Sequence, residues 1–230
     1  MFPDSQVFRL VISLGTTLLP WFLRRSLLQF FLGYELHPTS RIGIALVIPK
    51  KLRMQAGSKI KALTVCKSLE KLEIGENSSI GRQNLITGHL PSKAKSSSFQ
   101  EEHDRKSSLT LGKHTAITNR HFIDCTNKVS IGDYSIVAGY SSQILTHSVD
   151  FERSIQKSNA VEIGDYCFVG TDSTLLPGSK LPNFSILGAK GLLSKKYSKS
   201  YCLYAGVPAR TVKELSKDLK YFNRKVGYVV

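Results

Sequence analysis

Residues 163–193 read IGDYCFVGTDSTLLPGSKLPNFSILGAKGLL, and the spacing inside this stretch decides the fold. Steps of six from Ile163 reach Val169, Leu175, Leu181, Leu187 and Leu193, all aliphatic. Four residues after the first five of these stand Cys167, Ser173, Ser179, Ser185 and Gly191, all small. A period of six matches neither the 3.6 of an α-helix nor the strict alternation of a half-buried strand. It matches a coil of three short flat sides joined by tight corners. One aliphatic side chain per side points into a narrow core, the small residue lets the chain turn, and stacked coils pair each other's backbone groups. A β-sandwich, with period-two strands punctuated every 8–12 residues or so, would not hold this phase.

The same beat runs outward from this stretch. Leu111 leads to Ile117, Ile123 and Val129, and Ile74 leads to Ile80 and Ile86. Weaker traces fall at Ile42, Ile48, Met54 and Ile60. Gly75, Gly81, Gly112, Gly132, Gly164, Gly170 and Gly188 each follow an aliphatic position, where a corner is expected to favour an unrestricted backbone. The beat slips between Val129 and Ile131 and is lost in two places. Residues 88–108 are polar and serine-rich, and read as a loop extruded from a coil and mobile at least in part; residues 146–160 read as a second inserted loop. The expected organisation is a helical segment over 1–41, a mainly β domain of parallel coils over 42–210, and an amphipathic helix with a tail over 211–230. Val212, Leu215, Leu219 and Phe222 would form that helix's inner face.

The N-terminal stretch LVISLGTTLLPWFL (10–23) holds 14 residues without a charge, short of the roughly 20 that span a bilayer, and Pro20 divides it. It lacks the positive start and the small-residue cleavage site of a signal peptide. Packing on the end of the domain and lying in a membrane interface both remain open, with packing the stronger because no strongly basic face opposes the apolar one. Four scattered cysteines without a C-x-x-C pair argue against a disulfide framework or a structural zinc site, and fit a cytoplasmic setting. The net charge of +15 is concentrated: residues 190–225 carry ten Lys and Arg against Glu214 and Asp218. Such charge suits nucleic acid, acidic lipid or a phosphorylated cofactor, but no basic stripe interleaved with aromatics marks a nucleic-acid surface.

Several motifs together resemble the hexapeptide-repeat acyltransferases, in particular the sugar and exopolysaccharide O-acetyltransferases. They are IGDY (131–134 and 163–166), THSVD (146–150), GTDSTLLPGSKLP (170–182), LGAKGLLSK (187–195) and GVPAR (206–210). The resemblance implies a left-handed parallel β-helix, a homotrimer with active sites between subunits, and acetyl-CoA as co-substrate. It implies His147 as the general base that takes a proton from a sugar hydroxyl, with Asp150 or Asp124 orienting its ring. His121 stands at a corner position where a bulky ring is unexpected, and with Asn119 it is a candidate for acceptor contact. The pantetheine arm is expected along Gly170, Thr171 and Ala189, and the phosphates near Lys190 and Arg210, with Lys195 and Lys196 as weaker additions. No metal site is expected. The segment 18–43 resembles part of the exopolysaccharide enzymes, which implies peripheral contact with the inner membrane face.

Two other readings compete. The zinc-dependent γ-type carbonic anhydrases share the scaffold, but their paired histidines lie five apart, whereas His114 and His121 are seven apart. A non-catalytic scaffold or polyanion-binding module is the other.

Overall fold

The computed structural model describes residues 5–90, 99, 102 and 104–229. The chain winds into seven triangular coils whose strands stack as three parallel sheets. The first side runs from Glu35–Leu36 to Lys180–Leu181, the second from Arg41–Ile42 to Ile186–Leu187, and the third from Leu46–Ile48 to Leu192–Leu193. On the second side Ile42, Ile60, Ile80, Ile117, Val137, Val169, Leu187 and Tyr204 stand in register, one above another, and all are buried. The six-residue beat is thus a column of core side chains. The slip at Val129 and Ile131 has a simple cause. On the first side most strands turn two residues inward, as Leu52 and Met54, Leu72 and Ile74, Leu109 and Leu111, and Val129 and Ile131 do.

The corner glycines serve a purpose other than the one expected. Those with positive φ are Gly33, Gly57, Gly139, Gly178 and Gly206, not the ones that follow the aliphatic beat. A Cβ on Gly132 would stand 2.2 Å from Asp165 Oδ1 and 2.6 Å from the backbone of Gly164, in the coil above. Gly112 and Gly164 face Asp133 and Asn183 in the same way. Each of these side-chain oxygens accepts the backbone N–H one coil below: Lys113 to Asp133 at 2.8 Å, Asp133 to Asp165 at 2.8 Å, Asp165 to Asn183 at 3.0 Å. The glycine makes room for the next coil's carboxylate or amide.

The left-handed conformation falls instead largely on non-glycine residues, among them His114, Tyr134, Tyr166, Phe184 and Tyr201 along one corner, with φ between 53° and 56°. Left-handed backbone costs such residues about 1–2 kcal/mol each. Their rings stack in one column, with centroids 4.9, 4.7, 5.3 and 4.8 Å apart, which offsets that cost.

Both ends of the prism are closed. At the start, α1 (Gln6–Gly15) and α2 (Trp21–Leu32) pack on the first coil, with Leu28 and Leu32 in the core. Arg9 donates to Pro49 O at 3.0 Å, and Arg24 to Gly43 O at 2.7 Å and Ala45 O at 3.2 Å, so the two arginines meet carbonyls of that coil. At the other end the expected amphipathic helix is absent. Ala209–Glu214 is a strand antiparallel to Cys202–Gly206, and only Lys220–Asn223 is helical, as one 3-10 turn. The last coil would otherwise expose an unpaired sheet edge, and pairing that edge outweighs the helical periodicity. Val212 and Leu219, assigned inward by the pattern, are exposed, while Phe222 is buried against Phe184 and Tyr201.

A pair of glycine variants tests the stacking account. Gly132→Ala is expected to lower stability by about 1–3 kcal/mol despite its ordinary φ, because the clash is with the coil above. Gly15→Ala, with no atom within 4 Å of the added carbon, is expected to be neutral or to stabilise by up to about 1 kcal/mol. Chemical denaturation of the two variants measures the contrast.

Candidate active site

Asp124 closes the third side of the fourth coil and is buried. Its carboxylate is surrounded by donors. Oδ1 accepts from Thr126 N at 2.9 Å and from the Thr126 hydroxyl at 2.6 Å. Oδ2 accepts from Thr146 N at 2.8 Å and His147 N at 3.2 Å, and lies 2.9 Å from the Thr146 hydroxyl. The sixth partner is His147 Nδ1, 2.7 Å from Oδ2. Burial alone would raise the Asp124 pKa, but the hydrogen bonds from Thr126, His147 and Thr146 outweigh it and hold the group below its ordinary value. A carboxylate that is ionised can only accept, so Nδ1 carries the imidazole proton and Nε2 keeps its lone pair.

The third-to-first corner is where the chain leaves the scaffold. The third coil ends its third side at Leu85–Thr87 and the next strand begins at Ser108, and the hairpin of His147–Asp150 with Ile155–Ser158 departs after the fifth coil, so the two breaks lie on either side of Asp124's coil. The expected loop over 146–160 is therefore an antiparallel hairpin. Strand Phe122–Asp124 pairs with Gln143–Ile144 in register, which sets Asp124 beside Thr146 and His147. The His147 side chain is 45% exposed, against 5% for Asp124.

Of the segment between Thr87 and Ser108, residues 91–98, 100, 101 and 103 lie outside the described residues, and Phe99 lies beside His147. Phe99 sets its ring edge-on to the imidazole, centroids 6.2 Å apart at 85°. The Arg105 guanidinium stacks 4.6 Å from the Phe99 ring and donates to Thr126 O at 2.6 Å and to His89 O. Glu102 accepts from the backbone and hydroxyl of Ser158 on the hairpin. Sequence reading missed Phe99, Arg105, Thr126 and Thr146. Only Thr126, two residues after an Asp as in an Asx turn, left a local signal.

The remaining sequence-predicted residues are placed as follows. Asp150 pairs with Lys157 and accepts from Glu152 N and Arg153 N, each at 3.1 Å, so it holds its own turn and does not orient His147. His121 is 2% exposed and turned inward. Ser142 N donates to its Nδ1 at 3.1 Å, so Nε2 carries the proton and donates to the Thr118 hydroxyl at 2.9 Å. Asn119 spends its side-chain oxygen on Arg82 N at 2.8 Å. Both lie at the second-to-third corner, where the bulky residue is accommodated by burying a fully hydrogen-bonded ring.

Gly170, Thr171, Ala189 and Lys190 line that same second-to-third corner in the last coils, with Arg210 on the strand that covers the end. Gly170 is explained by stacking, since a Cβ there would meet Ala189 N at 2.5 Å. The Thr171 hydroxyl is 3.0 Å from both Tyr140 N and Tyr140 O. The Lys190 and Arg210 side chains point to solvent, Lys190 being 3.8 Å from Asp172. Within one chain these residues and His147 occupy opposite edges of the third side. Among the described residues no group of three His, Cys, Asp or Glu side chains is placed to hold a metal ion, and no helix is long and apolar enough to cross a membrane.

No family model matches the chain. A curated Escherichia coli (strain K12) protein, WbbJ, provisionally assigned as a lipopolysaccharide biosynthesis O-acetyl transferase, is 26% identical over 117 residues, 51% of this chain. The match spans 56% of that protein's length. Among solved structures, a hexapeptide-repeat acetyltransferase of Vibrio cholerae O1 biovar eltor, complexed with acetyl coenzyme A, matches with a TM-score of 0.54 and 15% identity, covering 92% of this chain and 87% of that one. A variant of the Bacillus cereus N-acyltransferase AntD, in complex with dTDP and coenzyme A, matches with a TM-score of 0.55 and 12% identity, covering 88% and 95%. These structural likenesses bear out the fold read from the sequence, a left-handed parallel β-helix of hexapeptide repeats.

The buried His121 carries a pH signature. Desolvation lowers its pKa to about 4, against about 6.5 when unfolded. The unfolded chain therefore binds the extra proton first, so stability falls as pH drops from about 6.5 towards 4, by up to about 3 kcal/mol. Thermal unfolding across this window is expected to show the loss, and His121→Asn is expected to flatten it while lowering stability near neutrality.

Proposed function

We propose that this chain moves an acetyl group from acetyl-CoA to a hydroxyl of a sugar or polysaccharide precursor, with His147 as general base and Asp124 as the residue that orients it. The reading is carried by one observation: the 2.7 Å contact between His147 Nδ1 and Asp124 Oδ2, which directs a basic Nε2 away from the scaffold on a half-exposed ring. The curated relative's assignment and the fold of the acyltransferases support the same chemistry.

In this mechanism Nε2 accepts the proton of the acceptor hydroxyl while its oxygen attacks the thioester carbonyl. Asp124 stabilises the imidazolium that forms, and Phe99 and the hydrogen bond to Nδ1 keep the ring from turning. Collapse of the tetrahedral intermediate breaks the carbon–sulfur bond, and the imidazolium returns its proton to the departing thiolate. Acetyl-CoA enters as co-substrate. Lys190 and Arg210 would meet its phosphates, and the corner at Gly170, Thr171 and Ala189 would border its pantetheine arm. A flat side of about five residues spans roughly 15 Å, so the cation corner of one chain does not reach its own His147. A homotrimer, in which one subunit's corner faces the next subunit's His147, completes the site. The setting is cytoplasmic, with the N-terminal hairpin as the contact to the inner membrane face.

Thiol release from acetyl-CoA over a panel of sugar acceptors tests the reading. His147→Ala is expected to lose about 10²- to 10⁴-fold in kcat with the fold retained. Asp124→Asn is expected to lower kcat with little change in KM, and Asp150→Asn to leave both near those of the unaltered chain. Transfer that survives His147→Ala would remove the proposed base.

A further inference from the structure

The N-terminal hairpin carries apolar side chains on its outer side as well as its inner one. In α1 the fully buried residues are Arg9, Ser13 and, just beyond, Thr16, all polar, flanked by the half-buried Phe8 and Ile12 that pack on the core. Those turned away are Val7, Val11, Leu14 and Leu18, which are 70%, 61%, 58% and 88% exposed. At about 100° per residue the two stripes lie on opposite sides of the helix. α2 likewise turns Arg24, Leu28 and Leu32 inward and Phe22 and Leu23, 65% and 45% exposed, outward. A hairpin needed only as a cap would present polar residues to water. Here the arginines are used on carbonyls of the first coil, and each helix leaves large apolar side chains exposed on its outer side.

The surrounding charge points to what covers that face. Between residues 5 and 69 the only acid is Glu35, which lies 3.4 Å from Arg53. Arg25 on α2 and the exposed Arg41, Lys51, Lys59 and Lys61 on the first coils leave this end strongly cationic. Two copies meeting here would bring many cations together, with Glu35 the one acid of residues 5–69 to match them. Neither helix is long enough to cross a bilayer. We infer that the outward face of the hairpin rests in the headgroup boundary of an anionic lipid bilayer, apolar residues down and cations against lipid phosphates. Packing on the domain and contact with a membrane are thus the work of opposite faces of the same two helices. The inference does not depend on acetyl transfer; where that reading holds, it puts the enzyme beside acceptors carried on a membrane.

Flotation of the full chain with phosphatidylglycerol-containing vesicles tests this, beside pure phosphatidylcholine vesicles and the double variant Leu18→Glu, Phe22→Glu. Both side chains are exposed, so the variant is expected to keep its circular dichroism and its thermal unfolding. The unaltered chain is expected to float with the anionic vesicles, less with phosphatidylcholine, and the variant to bind about tenfold more weakly or less. Equal flotation of both proteins, or none by either, would overturn the inference. So would a lipid-free dimer, seen by light scattering, that the variant dissolves while flotation is absent. Acetyl transfer to a soluble acceptor, measured on the same two proteins, reads the catalytic proposal separately.

Discussion

Every coil must lie directly on the one before it, at about the 4.8 Å spacing of paired strands, and the hydrogen bonds that enforce this recur along the whole prism. Gly112 N reaches Ile131 O at 2.8 Å, Gly132 N reaches Ile163 O at 2.8 Å, and Gly164 N reaches Leu181 O at 2.9 Å. At that spacing a corner has no room for a Cβ beneath the next coil's Asp or Asn, which explains the glycine beneath each of Asp133, Asp165 and Asn183. It is also close to the separation of stacked aromatic rings, so the left-handed corners carry a continuous column from His114 to Tyr201. A stack of this kind has two open edges. The arginines of the N-terminal hairpin meet one, and the strand Ala209–Glu214 pairs with the other.

The candidate site follows from the same stacking. Asp124 is one coil below Thr146 and His147, and the hairpin that leaves the fifth coil begins at the His147 that meets it. Burying a carboxylate is costly unless it is fully hydrogen-bonded. Asp124 meets that condition through the backbone and hydroxyls of Thr126 and Thr146 together with His147. Those bonds are held by rigid scaffold, so the imidazole is held in turn, and only its outer edge faces solvent. A base fixed on a rigid corner loses little orientational freedom when it reacts.

The fold was legible because its period is local: six residues separate one core position from the next, and the thirty-one residues of 163–193 suffice to show it. His147 was legible from the motif and the break in the beat. What the sequence could not rank was Asp150 against Asp124. Asp150 is three residues from His147 and Asp124 twenty-three, yet coil stacking makes the distant one the neighbour. Phe99 and Arg105 were hidden for the same reason, since their segment returns to the site through tertiary contact. The C-terminal error arose from the opposite cause. A helical period over 212–222 was real in the sequence, but the need to cover the last sheet edge lies outside any local pattern. His121 shows a third case: the ring was rightly singled out as unusual for its corner, and its burial between Ser142 and Thr118 accounts for it.

The central claim is that Asp124 fixes the His147 tautomer with the proton on Nδ1 and the lone pair on Nε2. Histidine nitrogen NMR of the isotope-labelled chain reads this directly, with the His147 signals assigned by their disappearance in a His147→Ala sample. At neutral pH the account predicts a protonated, hydrogen-bonded Nδ1 and an unprotonated Nε2. A protonated Nε2 beside a bare Nδ1, or a ring exchanging freely between both forms, would contradict it.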